Sequence, residues 1–390
     1  MNRKTILFID AGTSGKGGSF VSLFQILKVL STANYRLVVV LWNTSPFLEK
    51  YKSLGAEVVI IKNLIYTEKK NYKFLYNKSI SILSRLAPFL IPPWELMFQW
   101  NGYKKISKII RDYNVNLVHL NNQPVRNFIG FWLAKKFELP VISHLRTLHG
   151  YGLTQAHINF LKQLNLKMIA VSQAAADYWT NLGIPKSWID IIYNPYDGKF
   201  IKQFLDKKHC RKKLVYIGRI EKSKGVDYLL EAFQVAQKSI SDLSLTVIGD
   251  GSYYQEMKNK AYALGMSNHV SFMGYLYDAK RLLNQYDVLV MPSSIEGFGR
   301  VLIEAMAAGV AVISTQISAI NEIIENRLNG LLIPYGNVPS LTQAMIEIVR
   351  NHDLRETMQK NAYQTVQNKF HEDTFYKKLL IHYDELLTQH

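Results

Sequence analysis

The chain has 390 residues, enough for two or three ordinary domains, and 48% hydrophobic with 20% charged residues is the composition of a soluble fold. A single cysteine, Cys210, excludes an intramolecular disulfide and fits a reducing compartment, and no uninterrupted apolar run approaches the ~20 residues that span a bilayer. The formal charge of +17 is uneven: residues 1–195 carry +15, residues 196–213 add +5, and residues 214–390 stand at −3, so an anionic partner is expected of the first half.

The N-terminus runs almost directly into an apolar strand, KTILFID, without a charged leader, long apolar core and cleavage site, so export is not expected. In chain order, strands are predicted at 6–10, 36–42, 57–61, 117–120, 141–144 and 168–171. Helical periodicity falls between them, as at 20–31 and 128–137. A second series follows at 214–217, 245–248, 270–272, 288–291, 310–314 and 330–333, and an amphipathic helix closes the chain at about 372–387. Short apolar strands alternating with helices imply parallel sheets built from βαβ units. Two such series, separated by the basic stretch 196–213, imply two doubly wound domains facing across a cleft. The expected division is 1–195, the linker 196–213, 214–371 and the closing helix 372–390.

Residues 64–111 interleave Lys69, Lys70, Lys73, Lys78 and Arg85 with aromatic and aliphatic residues from Tyr66 to Trp94. Cations beside apolar groups describe a segment lying on an anionic membrane surface. A surface helix with a solvated basic face is the competing reading, and Pro88, Pro92 and Pro93 keep any helix there short. Nucleic acid is not expected as a partner, for no helix-turn-helix, RNA-recognition or zinc-finger signature is present.

Three turns carry polar chemistry. Residues 11–18, with Gly12, Gly15, Gly17 and Gly18, follow the first strand and let backbone amides approach a phosphate or sugar. The spacing is not that of a Walker loop, and a plain strand-to-helix turn is the alternative. Residues 218–225 (GRIEKSKG) set Arg219 and Lys224 five apart, able to clamp a diphosphate through a planar fork and a point charge. Residues 293–315 place Glu296 and Glu304 eight apart around Gly297-Phe298-Gly299 at the head of a helix. Strand, acidic Gly-rich turn, helix and strand in that order suggest a nucleotide-sugar site at the carboxyl end of a parallel sheet. No Asp-x-Asp occurs, and no His, Cys or carboxylate set has metal-site spacing, so no metal and no other cofactor is expected.

The order of these motifs resembles retaining glycosyltransferases of the GT-B fold, in particular glycosyltransferase family 4 (group 1). The resemblance is close through VYIGRIEKSKG, VIGDGS, VSFMGY and EGFGRVLIEAMAAG, and looser through GKGGSFVSL, HLNN, ISHLRTLHG and YNPYD. It implies two Rossmann-like domains, with the final helix crossing back onto the first. It implies that Gly17 and Gly18 lie against the donor diphosphate and the acceptor, and that Arg219 and Lys224 stabilise the leaving diphosphate in place of a metal. Glu304 would take the nucleotide's ribose hydroxyls, and Glu296 would stand beside the transferred sugar. Gly297, Phe298 and Gly299 would offer the sugar backbone contacts, Val301 belongs to the expected donor-binding set, and Tyr275 would help to shape the base pocket. His144 is expected to reach the transferred sugar, with His149 as the competing choice. Asn122, Arg126 and Arg146 are candidates for the acceptor, although each arginine could equally be a surface ion pair. Asn194 and Asp250-Gly251 read as turn residues. The implied activity is metal-independent transfer from a nucleoside-diphosphate sugar, uracil being the expected base, to a glycan or lipid-linked acceptor for a surface polysaccharide. The expected location is cytoplasmic, peripheral at the inner face of the membrane. The rival readings are a non-catalytic partner subunit and a nucleotide-sugar epimerase on a related fold.

Overall fold

The computed structural model describes residues 3–10, 18–61, 99–148, 153–196 and 212–388. Its contacts divide the chain into two units, Met1–Tyr193 with Tyr376–His390, and Asn194–Phe375. Each is built on one parallel sheet, as the alternating pattern predicts.

In unit 1 the strands are β1 (Thr5–Asp10), β2 (Arg36–Leu41), β3 (Glu57–Ile60), β4 (Val115–Leu120), β5 (Val141–Leu145), β6 (Leu166–Ala170) and β7 (Ile189–Ile191). They lie in the order β3-β2-β1-β4-β5-β6-β7, all parallel. A strand buried on both faces reads as an unbroken apolar run, and Ile6 to Ile9 are wholly inaccessible. Only β7 was not legible beforehand. It is three residues long at the sheet edge, half-buried, with Asp190 at its centre.

Unit 2 repeats the plan with β8 (Lys213–Ile217), β9 (Ser244–Ile248), β10 (Val270–Gly274), β11 (Val288–Met291), β12 (Ala311–Thr315) and β13 (Leu331–Ile333), ordered β10-β9-β8-β11-β12-β13. Its core gathers Leu214, Tyr216, Leu229, Phe233, Val247 and Ile313 from the strands and the helix Val226–Ser239. Helix ends are closed locally. Asn337 and Asn351 accept from the amides of Ser340 and Leu354 at 2.9 and 3.0 Å. The buried Arg355 guanidinium donates to the last carbonyls of the helix Val338–Arg350, Ile348 O and Val349 O, at 2.8 and 2.9 Å.

The unit boundary falls inside the final helix, Glu372–Thr388. Beyond Tyr376 the helix packs on unit 1, burying Leu379, Tyr383, Leu386 and Leu387. The Tyr383 hydroxyl meets His119 Nδ1, and Tyr35 donates to Asp384 Oδ1 at 3.2 Å. Where the chain enters and leaves unit 2, Tyr196 N donates to Phe370 O at 2.9 Å.

Both sheets reverse their strand order once, between β1 and β4 and between β8 and β11. In doubly wound sheets ligands bind outside the carboxyl ends of the strands at such a reversal.

Candidate functional site

At the reversal of unit 2 the loops after β8 and β11 are stitched together. Ser294 N and Ser294 Oγ both donate to Ser223 O, at 2.8 and 3.1 Å. Gly225 has φ +67°, and a Cβ there would stand 2.1 Å from Pro292 O, so only glycine lets the two backbones approach this closely. The preceding turn is packed as tightly, since a Cβ on Gly249 (φ +145°) would lie 1.8 Å from Gly218 O. Asp250 O accepts from Ile220 N at 2.9 Å, which makes the Asp250-Gly251 turn a brace for the loop carrying Arg219.

These contacts bring Lys224 to Glu296. The ammonium donates to Glu296 Oε1 at 2.6 Å, and Ser293 Oγ donates to the same oxygen at 2.9 Å. The two charged side chains are 13% and 17% exposed, enclosed but reachable. Ile295 O stands at 3.5 Å from Lys224 Nζ. An ammonium has three donors, so one remains for a ligand among the described residues. Arg219 is not part of this cluster: its Nη1 pairs with Glu221 Oε1 at 2.6 Å, and two-thirds of the side chain is exposed. Beneath it, Tyr216 donates to Arg219 O at 2.7 Å. Burial, then the Glu296 charge, pushes that phenol well above its ordinary value.

The Gly-Phe-Gly turn is fixed from both sides. Phe298 is buried edge-on against Phe370 at 5.7 Å, and Gly299, at φ +95°, precedes the helix Arg300–Ala307. A Cβ on Gly299 would come within 2.8 Å of Ile320 Cδ1. Val301 is half-buried in the first turn, and Glu304, one turn on, lies 3.9 Å from Arg300 Nη2. Tyr275 stands partly exposed after β10, at the sheet edge two strands from β8. Burial raises its phenol, and Tyr277 adds to the shift. Neither Ser293 nor Arg300 was singled out beforehand, though Ser-x-x-Glu and an Arg four residues before a Glu are both readable patterns.

At the reversal of unit 1 a second polar cluster joins the ends of β1, β4 and β5. Asp10 is 1% exposed, and its carboxylate accepts from Asn121 Nδ2 at 2.7 Å and from Asn122 Nδ2. Asn121 in turn holds Arg146: Nε donates to Asn121 O at 2.9 Å and Nη2 to Asn121 Oδ1 at 2.8 Å. A buried carboxylate thus orients an amide that orients a guanidinium. Arg126 is exposed on the turn Pro124–Asn127, and Gly18 is exposed at the head of the helix Gly18–Thr32. Gly17 and His149 lie outside the described residues, as does most of the basic stretch 64–111. Asn194 is buried at the start of unit 2.

His144 requires a correction. Expected at the transferred sugar, it is 1% exposed inside unit 1, stacked on His119 at 4.8 Å, with neither ring nitrogen hydrogen-bonded. Alternation along β5 puts it on the face beneath the final helix, closed off from solvent. Burial first, then the Arg146 charge, lowers both imidazoles well below the usual histidine range. The residue that emerges at the end of β5 is Arg146. Among the described residues, no three His, Cys, Asp or Glu side chains gather to hold a metal ion. No helix among them is long and apolar enough to cross a membrane.

Comparison with known proteins accounts for both halves. The family model for Glycosyltransferase Family 4 matches residues 16–199, and that for Glycosyl transferases group 1 matches residues 197–365. N-acetyl-alpha-D-glucosaminyl L-malate synthase of Bacillus anthracis is 24% identical over 344 residues, 84% of this chain and 88% of that protein. Phosphatidyl-myo-inositol mannosyltransferase of Mycobacterium leprae is 26% identical over 67% of this chain and 71% of its own length. Among solved structures, Anabaena HepE in complex with UDP and glucose superimposes with a TM-score of 0.77 at 20% identity, covering 98% and 100% of the two chains. Sucrose-phosphate synthase of Thermosynechococcus elongatus superimposes with a TM-score of 0.79 at 17% identity over the whole of both. These likenesses are of fold: two Rossmann-like domains of the GT-B type.

Proposed function

The chain belongs to the GT-B glycosyltransferases of family 4 (group 1), and from that premise we propose that it moves a sugar from a nucleoside-diphosphate sugar to a hydroxyl of a glycan or lipid-linked acceptor, in surface polysaccharide synthesis. The observation that carries the proposal is the Lys224–Glu296–Ser293 cluster at the strand reversal of unit 2, with Glu304 one helical turn on. The relative crystallised with UDP favours a UDP-sugar as donor.

In the proposed reaction the anomeric C–O bond breaks toward the diphosphate, and its electron pair leaves with the phosphate oxygen. Lys224 keeps Glu296 and turns its remaining proton to that oxygen. Arg219 joins it by leaving Glu221. An exposed pair of this kind is worth only about 0–1 kcal/mol, so the diversion costs little beside the charge it stabilises. Glu304 accepts from the ribose hydroxyls. Glu296, engaged by Lys224 and Ser293, positions the sugar and forms no bond to it. The acceptor oxygen attacks on the face the diphosphate leaves and gives its proton to the departing phosphate oxygen, so configuration is retained. Transfer needs no metal on this proposal, because fixed cations stabilise the developing charge. Arg146, held through Asn121 by Asp10, is the proposed acceptor-side cation, and Asn122 and Arg126 are proposed to share in holding the acceptor.

The test incubates the protein with a panel of nucleotide-sugars, with and without membrane lipid extract and with and without EDTA. Nucleoside diphosphate release is followed, and the product's anomeric configuration is read by NMR. Release that needs the extract, resists EDTA and fails in Lys224→Ala supports the proposal. A donor converted without release points to an epimerase. No binding of any donor points to a partner subunit, and an inverted product sinks the same-face mechanism.

A further inference from the structure

We propose that Arg300 is a donor-binding residue: its guanidinium takes the phosphate next to the ribose, while Lys224 takes the phosphate that leaves. The inference deepens the transfer reading and rests on it, since Glu304 is taken to hold the ribose hydroxyls of a nucleoside diphosphate.

Arg300 is the first residue of the helix Arg300–Ala307 and directly follows the left-handed Gly299. The helix itself gains little from an arginine there. A cation in the first turn faces the positive end of the helix dipole, and this turn holds no acidic residue to offset it. The carboxylate four residues on, Glu304, comes in the weaker order, for an acid stabilises a helix better when it precedes the base. Nor is the side chain a solvated one. It is 17% exposed, whereas the arginine of the neighbouring loop, Arg219, is 67% exposed.

The pair is also spaced unlike a structural one. Arg36, Arg219, Arg281 and Arg327, all exposed on the surface, close on Glu57, Glu221, Asp278 and Glu347 at 2.5–2.6 Å. Arg300 and Glu304 stand 3.9 Å apart, longer than a hydrogen bond. Attraction is strongest where water is excluded, yet this enclosed pair is the one that does not close. A ribose and a phosphate of one nucleotide fit that spacing, with hydroxyls on the carboxylate and an oxyanion on the guanidinium.

The order of charges along the chain names the ligand. Glu296, which meets Lys224 at 2.6 Å, then Arg300, then Glu304 follow one another at intervals of four residues. Glu304 stands about 6 Å of helix rise beyond Arg300. In a nucleotide-sugar the sugar, the diphosphate and the ribose come in the same order. A planar guanidinium beside the ribose site matches two phosphate oxygens with parallel hydrogen bonds. The two phosphates are thereby divided. Charge on the phosphate at Lys224 grows as the glycosidic bond breaks, while charge on the phosphate at Arg300 is the same before and in the transition state. Lys224 therefore serves rate, and Arg300 serves binding.

The test titrates the full chain with UDP, GDP and ADP. The diphosphate bound most tightly is then compared with its monophosphate and its nucleoside, by calorimetry or, for weak ligands, by ligand-observed NMR. A hydrogen bond to a charged phosphate is worth about ten- to a hundredfold in affinity. Arg300→Met should weaken diphosphate and monophosphate by about that factor and leave the nucleoside unchanged. Arg300→Lys should recover part of the loss, and Lys224→Ala should weaken the diphosphate alone. In turnover, Arg300→Met should raise KM for the sugar donor with kcat held within about twofold. A loss that extends equally to the nucleoside means that Arg300 acts through Glu304, and it overturns the proposal. So does a matching loss in Arg350→Met, whose arginine donates to Ser239 O at 2.8 Å at the far ends of their helices. The two readings fail separately. A wild type that binds the diphosphate but releases none from any sugar donor with lipid extract sinks the transfer reading alone. Monophosphate bound equally by wild type and Arg300→Met sinks the Arg300 assignment alone, and a wild type that binds none of the three diphosphates sinks both.

Discussion

Lowering the pH from 7.5 to 5.5 should loosen unit 1 from within, through His119 and His144. Both rings are fully buried, and burial with the Arg146 charge holds both well below the usual histidine range. The groups facing them add no carboxylate: His382, itself lowered chiefly by burial, bears on His144, and the phenol of Tyr383, raised by burial, stays protonated. In the unfolded chain each imidazole takes a proton near pH 6.5. Below that pH the unfolded state binds more protons than the folded one, so stability falls as pH drops, until the folded-state values are reached. Each histidine contributes about 1.4 kcal/mol per pH unit, so one unit below 6.5 the pair removes nearly 3 kcal/mol. That is a large share of the 5–15 kcal/mol that holds an ordinary domain. His144→Leu isolates one member, because its nitrogens make no hydrogen bond whose loss would confuse the result. The variant should be as stable as the wild type, or more so, at pH 7.5. At pH 5.5 its opening constant should be about tenfold smaller than the wild type's. Hydrogen exchange read on peptides of β4, β5 and residues 376–388, corrected for intrinsic rates, measures this directly. If wild type and His144→Leu lose protection equally between the two pH values, the buried pair is not the acid-sensitive element.

Three further outcomes follow from the site. Lys224→Ala should lower kcat/KM by about 10²–10³-fold, the scale of losing one charge-stabilising donor, and steady-state kinetics over donor concentration check this. Arg219→Ala should leave the melting temperature almost unchanged, its partner pair being exposed, while nucleotide release falls sharply. A parallel fall in stability would contradict the surface placement. Gly225→Ala meets Pro292 O and a left-handed backbone together, so it should cost about 2 kcal/mol or more and weaken donor binding, as a urea titration and a nucleotide-binding isotherm would register.

Strand positions were legible because parallel strands buried on both faces keep apolar runs, as in ILFI at 6–9 and VLVM at 288–291. The unit 2 site was legible because its glycines and charges are local in sequence: Gly225 and Gly299 mark the close approaches, and Lys224 and Glu296 stand at strand ends. What could not be read is which cation meets which carboxylate. Arg219 takes Glu221 two residues away, and Lys224 takes Glu296 across 72 positions. His144 misled for a related reason. Strand alternation fixes that Ile142 and His144 share a face, but only the distant Tyr383, resting on His119, reveals that this face is covered. The Asp10–Asn121–Arg146 relay spans three strand ends and has no local signature.

Because unit 2 interrupts unit 1, unit 1 cannot be completed until residues 376–388 exist. His119 and Tyr383 are 264 positions apart, so on a ribosome the N-terminal sheet waits for its final helix through the whole synthesis of unit 2. That delay also helps. Once unit 2 folds, the bond from Tyr196 to Phe370 ties its two ends together, and the chain that must close to seat Tyr383 shrinks to about 90 residues. The entropy of closure falls by about 1 kcal/mol. A folded inserted unit thus shortens the closure by which the interrupted unit gathers its two parts.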